Sequence, residues 1–195
     1  MSGLLATRAV ARAALGVPAE FQVVGWVGRF SEEKAPLLAI DALAGVADPR
    51  IVLCMLGDGP LLADARTRAR VAGVGNRVFF PGSVPDASTL FLAFDAILIS
   101  STTEGTPMVA LEAAVAGIPV IATAVGGIPD LIGASGGWLV RSGDAGEIGQ
   151  AMGDVLSNHA EANRRTTHLS AALRDADKDG DWVSQYLRLY EQVSR

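Results

Sequence analysis

Short, continuously apolar segments alternate with helical patterns along most of this chain. Such segments are typical of strands in a parallel sheet, where helices cover both faces. The pattern predicts six strands, at residues 21–27, 50–56, 77–80, 96–100, 119–123 and 137–140. It predicts intervening helices at 36–46, 60–72, 84–93 and 107–116, and closing helices at 145–157 and 182–193. We therefore expect an α/β fold with a Rossmann-like, doubly wound, parallel six-stranded sheet.

The length of the chain suits one domain. Its 195 residues, 50% of them hydrophobic, are enough to bury a sizeable core. We expect a single domain over residues 1–195, with a leading helix or linker at 1–18 and a closing helix at 182–193. The leading segment carries Arg8 and Arg12 and no acid, as transit peptides do, but a short helix ending near Gly16 is the favoured interpretation.

Composition argues against several kinds of partner. The formal net charge is −5 and there is no basic run, so we expect no nucleic-acid partner. The single cysteine, Cys54, cannot form an intramolecular disulfide and favours a reducing, cytoplasmic setting. His159 and His168 lie in a polar region without a cysteine pair, so we expect no metal site. No apolar segment approaches the ~20 residues of a membrane span, although peripheral membrane contact of a full-length protein stays open.

The predicted topology brings four chemically suggestive loops to one edge of the sheet. Arg29 and Lys34 follow the first strand, and residues 57–60 follow the second. Residues 104–107 follow the fourth strand, and 126–127 follow the fifth. Ligands of doubly wound sheets bind beyond the carboxyl ends of the strands, so these loops form the candidate functional site.

The segment between Glu104 and Glu112 is the most informative. A helix is predicted to begin at Pro107, and the unpaired N–H groups of its first turn, at the positive end of the helix dipole, attract anions. Two carboxylates bracket this anion site, which suits a ligand with phosphate in its middle and hydroxyls at both ends, such as a nucleotide-sugar. The alternative is an ordinary carboxylate at a helix start and a solvated helix position. The apolar neighbours of Glu112 count against the second part of that alternative.

Arg29 and Lys34 form a candidate phosphate clamp. Arginine grips phosphate oxygens in a bidentate manner, and lysine adds a mobile point charge. Either residue alone would be interpreted as a surface cation beside Glu32 and Glu33. Together with the helix start they suit a diphosphate, and they would stabilise the charge that grows on a departing nucleoside diphosphate.

Two glycine-containing loops are less specific. The sequence G-D-G-P at 57–60 matches neither G-x-G-x-x-G nor G-x-x-x-x-G-K, and a tight turn between strand and helix is the favoured interpretation. Gly126 and Gly127 either let main chain approach a ligand or supply positive φ angles, and the sequence does not decide between the two.

Taken together, the motifs resemble those of the C-terminal, donor-binding half of GT-B glycosyltransferases, in the large retaining group called family 4 (glycosyl transferases group 1). The resemblance runs from about Ala11 to the end of the chain. In the family's order, the chain contains V-G-R-F-S-E-E-K, G-D-G-P, R-V-F-F-P-G, S-S-T-T-E-G-T-P-M-V-A-L-E-A, G-I-P-V-I-A-T and G-G-I-P-D. Two positions depart from the commonest form: Ala35 stands where glycine is usual, and Asp130 where glutamate is frequent.

The resemblance implies a role for each candidate side chain. Arg29, Lys34 and Glu104 would be the catalytic set on this half. The two cations would bind the donor diphosphate, and Glu104 would hold hydroxyls of the transferred sugar. Glu112 would accept hydrogen bonds from the ribose hydroxyls.

Main-chain groups complete the expected nucleotide-sugar site. Amides near Thr106, Met108 and Val109 would cap the distal phosphate, and Gly105 is also expected in the nucleotide-sugar site. Main chain around Val78 and Phe79 would contact the edge of the base. The family works without a bound metal or other cofactor, so we expect none here.

The resemblance also implies a missing partner domain. Enzymes of this fold have two Rossmann-like domains, with the acceptor site and some catalytic groups on the N-terminal one. This chain begins about where the second domain begins. We expect it to fold and to bind a nucleoside diphosphate weakly, but to transfer no hexose alone.

Other functions were weighed against this one. A non-hydrolysing nucleotide-sugar epimerase shares the architecture, but this half offers few acid–base groups beyond Glu104. A non-catalytic nucleotide-binding module would keep the same binding site. A glycosidase is less consistent, because a helix start and a diphosphate would separate Glu104 from Glu112. A nicotinamide-dependent oxidoreductase lacks G-x-G-x-x-G after the first strand. The base, the sugar and the acceptor stay open.

Overall fold

A six-stranded, all-parallel sheet is the framework of the protein, which we describe from a computed structural model. The structure describes residues 6–105 and 107–176. The strands are β1 (Gln22–Val27), β2 (Ile51–Leu56), β3 (Val78–Gly82), β4 (Ala96–Ile99), β5 (Val120–Thr123) and β6 (Trp138–Val140). Their order in the sheet is β3-β2-β1-β4-β5-β6, and every pairing is parallel. The expected doubly wound fold is confirmed, and each predicted strand lies within two residues of its observed bounds.

Helices cover both faces of the sheet. They are α1 (Arg8–Leu15), α2 (Pro36–Ala44), α3 (Leu62–Val71), α4 (Met108–Val115), α5 (Ile128–Ile132), α6 (Ala145–Ser157) and α7 (His159–Ala176). Short 3₁₀ helices occupy Glu32–Lys34, Gly75–Arg77 and Ala87–Ala93, the last of these where a helix was predicted at 84–93. The leading helix of segment 1–18 corresponds to α1. Helices α5 and α7 were not predicted, and the helix predicted at 182–193 lies outside the described residues.

Alternate side chains of each strand enter two separate apolar layers. On β1, Val23 joins the layer covered by α1, α4, α5 and α7, while Val24 and Trp26 join the layer covered by α2, α3 and α6. All six residues of β2 are buried. Burial raises the pKa of the Cys54 thiol to about 12, so this thiol stays protonated and serves as a packing group.

Arg12 ties α1 to the amino end of the sheet. Its side chain is buried, and its guanidinium donates to the carbonyl oxygens of Ala19, Phe21 and Ala93 at 2.8, 2.9 and 3.0 Å. It also donates to Asp95 at 2.8 Å. Burial lowers the pKa of Arg12, and the Asp95 carboxylate offsets part of that effect. Helix α1 is therefore an integral part of this domain.

The loops at the carboxyl edge of the sheet hold one another through main-chain contacts. Phe30 N donates to Asp58 O, and Leu61 N donates to Phe30 O, both at 2.9 Å. Gly57 has φ 134°, and a Cβ there would overlap the carbonyl oxygen of Gly28. The G-D-G-P sequence thus forms a tight turn, as favoured above, and the turn also supports the loop that carries Arg29.

Gly126 lies directly against the main chain of Glu104. Its φ is 54°, and a Cβ at this position would overlap the Glu104 carbonyl oxygen. A Cβ at Gly127 would lie 2.9 Å from the oxygen of Gly105. The sequence left open whether these glycines allow a close approach of main chain or supply positive φ angles. In the structure they allow the main chain to lie close to the Glu104 loop, and Gly126 also has a positive φ.

Replacing Gly126 by alanine should destabilise the domain far more than replacing Gly117. Both glycines have positive φ, 54° and 72°, but a Cβ at Gly117 would meet nothing within 4 Å. We expect Gly117→Ala to lower the free energy of unfolding by about 1 kcal/mol, the cost of the backbone conformation, and Gly126→Ala to lower it by at least ~3 kcal/mol. Urea denaturation measures both. Equal losses would show that the approach to Glu104 contributes nothing.

Candidate functional site

The candidate site lies where the strand order of the sheet reverses. Strands β1 and β4 are neighbours at the centre, and the chain proceeds outward from them in both directions. A crevice beyond the carboxyl ends of such strands is the usual ligand site of this class of sheet. A cavity of about 190 Å³ opens there, and its lining includes Lys34, Glu104, Met108 and Val109. Four of the residues predicted from sequence thus share one cavity.

Lys34 and Glu104 form an ion pair in this cavity. Lys34 Nζ lies 2.6 Å from Glu104 Oε1, and Ser101 Oγ donates to the same oxygen at 2.6 Å. The Glu104 side chain is only 8% exposed and that of Lys34 is 32% exposed. The second carboxylate oxygen, Oε2, makes no hydrogen bond within the described residues. Glu104 therefore keeps one acceptor for a ligand, and the Lys34 ammonium keeps two N–H donors.

The first turn of α4 offers free main-chain donors. Pro107 precedes the helix and supplies no side-chain cap, and the first hydrogen bond of this turn runs from Ala110 N to Pro107 O at 2.9 Å. The amides of Met108 and Val109 have no acceptor among the residues that the structure describes. Both residues line the cavity. An anion placed here would meet unpaired N–H groups at the positive end of a helix. Thr106, predicted to take part, lies outside the described residues.

Arg29 stands at the same edge with its side chain free. It follows β1 and is exposed, and within the described part of the chain its side chain makes neither a hydrogen bond nor an ion pair. Its main chain is held between Gly28 N, which donates to Leu56 O at 3.0 Å, and Phe30 N. Arg29 is not part of the cavity lining, and its predicted contact with a phosphate stays a prediction.

Glu112 and Gly105 lie next to the cavity without lining it. Glu112 is half-buried on α4, one turn beyond Met108. Gly105 is exposed and follows Glu104 directly. Their predicted contacts with a nucleotide-sugar stay predictions.

Val78 and Phe79 are not brought to this edge. They are level with Leu53 and Cys54 in the sheet, whereas it is Gly82 that is level with the last residue of β2. Phe79 packs against Phe21 near the amino end of β1, at 6.2 Å between ring centroids. The part of β3 at the ligand edge is its end at Gly82, so the register gives no support to base contact by Val78 and Phe79.

Sequence reasoning missed three residues of the cavity lining that carry polar side-chain atoms: Trp26, Ser100 and Ser101. Trp26 Nε1 donates to Ser100 Oγ at 3.0 Å, and both side chains are almost fully buried. The signal available was the pair of serines directly after an apolar strand and before Glu104. Trp26 gave no signal, because a tryptophan in a buried strand is usually interpreted as a core residue.

The described residues contain neither a metal-ligand cluster nor a membrane-spanning helix. Within residues 6–105 and 107–176, no group of three or more His, Cys, Asp or Glu side chains is placed to hold a metal ion. No helix in this part of the chain has the length and apolarity needed to cross a membrane.

Two curated glycosyltransferases are each 37% identical in sequence to this chain over the matched region. The chain is 37% identical over 168 residues to 2-deoxystreptamine N-acetyl-D-glucosaminyltransferase of Streptomyces fradiae, covering 83% of this chain and 39% of that protein. It is 37% identical over 172 residues to D-inositol 3-phosphate glycosyltransferase of Mycolicibacterium paratuberculosis, covering 85% of this chain and 39% of that protein. The chain thus spans well under half the length of these curated relatives.

Solved structures share the fold. Anabaena Alr3699/HepE in complex with UDP superposes with a TM-score of 0.82 at 27% identity, covering 96% of this chain and 52% of that one. The C-terminal domain of the group 1 glycosyl transferase LpcC from Francisella tularensis has a TM-score of 0.77 at 20% identity. The match covers 89% of this chain and 95% of that domain, and at this identity it supports the fold alone.

The family model for glycosyl transferases group 1 matches residues 7–168, which include every candidate residue discussed above. The motifs in their order, the reversed strand order and the relatives agree with that match. The chain belongs to the glycosyl transferases group 1 family.

Proposed function

We propose that this chain is the donor-binding part of a retaining glycosyltransferase, which transfers a hexose from a nucleoside-diphosphate sugar without a metal ion. The observation that carries the proposal is the meeting of Lys34 and Glu104 beside the uncapped start of α4. Cation, carboxylate and free amides are the three kinds of group that a pyrophosphate linked to a sugar requires. The family match supports transfer over the epimerase alternative.

The diphosphate would bind across Lys34, Arg29 and the amides of Met108 and Val109. These groups supply two positive charges and two N–H donors that have no acceptor among the described residues. When the bond to the sugar breaks, negative charge grows on the departing diphosphate, and donors already in place stabilise it without reorganisation. We propose that these groups take the role a metal ion has in other transferases.

The sugar would bind at Glu104. The carboxylate keeps Oε2 as an acceptor for a sugar hydroxyl, while Ser101 and Lys34 hold Oε1. A carboxylate bonded to two donors is fixed in orientation, so its free oxygen points in a defined direction. On binding, a phosphate oxygen would compete with Glu104 for the Lys34 ammonium, and the sugar hydroxyl would replace part of the lost interaction.

The acceptor would bind to a second domain. The curated relatives are more than twice as long as the matched region, and the UDP complex of HepE is of a chain about twice the length of this one. We propose that an N-terminal acceptor domain is the partner of this chain, that the 195 residues alone are inactive, and that a uridine nucleotide is the first donor to test. We also propose a cytoplasmic location, which the sequence suggests through its single cysteine.

A thermal-shift screen tests the proposal directly. We expect one of the series UDP, GDP and ADP, with the matching nucleotide-sugars, to raise the melting temperature of this chain by about 5 °C or more at ~100 times its Kd. Sugar transfer by the purified chain should be undetectable. A shift with NAD and with none of the diphosphates would contradict the proposal, and measurable transfer would contradict the inactivity of the chain alone.

Arg29→Ala should weaken nucleoside diphosphate binding without changing stability. The side chain is exposed and unpaired within the described residues, so its removal should leave the free energy of unfolding within ~0.5 kcal/mol of wild type. We expect about tenfold weaker binding by calorimetry, from the loss of one charge-assisted phosphate contact. Arg70→Ala is the matched control, because Arg70 is exposed on α3 and its guanidinium donates to Thr67 of the same helix and to no other described residue. An equal loss of binding affinity in the two variants would show that Arg29 does not contact the diphosphate.

Glu104→Gln should separate sugar binding from phosphate binding. The amide removes the charge that accepts from sugar hydroxyls and releases Lys34 from its ion pair. We expect affinity for the nucleotide-sugar to fall about tenfold, whereas affinity for the free nucleoside diphosphate holds or rises. Calorimetry with both ligands gives the two numbers. A parallel loss for both ligands would show that Glu104 does not contact the sugar.

A further inference from the structure

Ser100 connects three groups behind Lys34. Its side chain is completely buried at the end of β4. Its hydroxyl accepts from Trp26 Nε1 at 3.0 Å and lies 2.9 and 3.0 Å from the carbonyl oxygens of Lys34 and Ala35. A hydroxyl has one proton, so the two carbonyls share it. The indole N–H, by occupying a lone pair, directs that proton toward them.

The two carbonyls belong to a turn in a disfavoured conformation. Ala35 has φ 45° and ψ 56°, the left-handed region that residues with a Cβ rarely adopt. Pro36 follows it, and a residue before proline is pushed further toward extended backbone. Such a conformation persists only where its surroundings hold it. The Ser100 hydroxyl is the side-chain group that holds the Ala35 carbonyl.

The conformation of the turn determines the position of Lys34. The 3₁₀ helix Glu32–Lys34 ends at Ala35, so relaxation of Ala35 toward extended backbone would rotate Lys34 away from the cavity. The other side of this helix is held separately, because Thr102 N donates to Glu33 O at 2.8 Å. Loss of the Ser100 contact should therefore release the Lys34 end and leave the rest of the loop attached.

We propose that Trp26 and Ser100 are positioning residues for Lys34. The indole N–H orients the Ser100 hydroxyl, and the hydroxyl holds the left-handed turn that directs the Lys34 ammonium to Glu104 and to the donor diphosphate. The diphosphate part rests on the proposed function, whereas the pairing with Glu104 exists without ligand. The two parts can therefore fail separately.

Lysine NMR provides a readout without ligand. The chain has only two lysines, Lys34 and Lys178, so ¹³C-labelled lysine gives two side-chain signals, and Lys178→Arg assigns them. The Lys34 signal of Glu104→Gln shows the position for a lysine without its partner. In Ser100→Ala we expect the Lys34 signal to move toward that position and UDP affinity to fall about tenfold.

Trp26→Phe is the second variant, for the case that Ser100→Ala does not fold. It keeps an aromatic ring, and it removes the N–H that orients the hydroxyl together with part of the buried indole. The Lys34 signal should move in the same direction by a smaller amount. Ser170→Ala is the matched control, since its hydroxyl donates to Ala114 O at 2.8 Å near the other end of α4. This control should leave the Lys34 signal and UDP affinity at their wild-type values.

Ala35→Gly separates positioning from general destabilisation. Glycine adopts positive φ without steric cost, so the turn no longer depends on the Ser100 hydroxyl. Adding Ala35→Gly to Ser100→Ala should return the Lys34 signal toward its wild-type position, a coupling that independent destabilising changes would not show. A wild-type signal in Ser100→Ala, or no return in the double variant, overturns the proposal. Failure of UDP, GDP and ADP alike to bind the wild-type chain counts against the proposed function and leaves the NMR result to decide the positioning role.

Discussion

The ion pair between Lys34 and Glu104 joins the two loops on which the candidate site depends. Lys34 follows β1 and Glu104 follows β4, the central strands of the sheet. A carboxylate that is 8% exposed needs partners, and here a cation and the Ser101 hydroxyl converge on one of its oxygens. The pair thus holds the two loops together. It also keeps a cation and an acceptor ready in the place where a sugar and a phosphate would meet.

The loops around this pair are held in place mainly by close contacts of their main chain. The turn at Gly57 supports the loop of Arg29, and Gly126 supports Glu104. Thr123 Oγ1 donates to Ser101 O at 2.6 Å and fixes the loop after β4 from the side of β5. Functional groups on such a frame are already in position before the ligand arrives. Arg29 is the exception: its backbone is held by hydrogen bonds, whereas its side chain makes none to the residues that the structure describes.

Much of this architecture could be predicted from the sequence. All six strands were predicted, because continuous apolar segments leave few alternatives to a parallel sheet with helices on both faces. From their order the edge that carries Arg29, Lys34 and Glu104 followed. Helix α7 was missed although Asn158 and Glu161 give a start signal, and the structure shows Asn158 Oδ1 accepting from Glu161 N at 3.1 Å. The five-residue α5 is too short to produce a helical pattern.

The finer features of the site depended on contacts that sequence does not show. Base contact was expected at Val78 and Phe79, but the register of β3 places them below the edge. Ala35 was noted only as a departure from glycine, and nothing in the local sequence indicated its left-handed conformation. The hydroxyl of Ser100 that holds this turn comes from a residue 65 positions away. Local sequence patterns predict helices and strands, whereas contacts between distant loops can be identified only once the fold is known.

The central claim is that the donor diphosphate binds at the start of α4, between Lys34 and Arg29. A crystal structure of this chain with the nucleoside diphosphate that stabilises it most tests this claim directly. We predict the distal phosphate within about 3 Å of the Met108 and Val109 amides and of Lys34 Nζ. A diphosphate bound instead in another cavity, a groove of about 500 Å³ near the amino end of the sheet lined in part by Gln22 and Arg50, would contradict it.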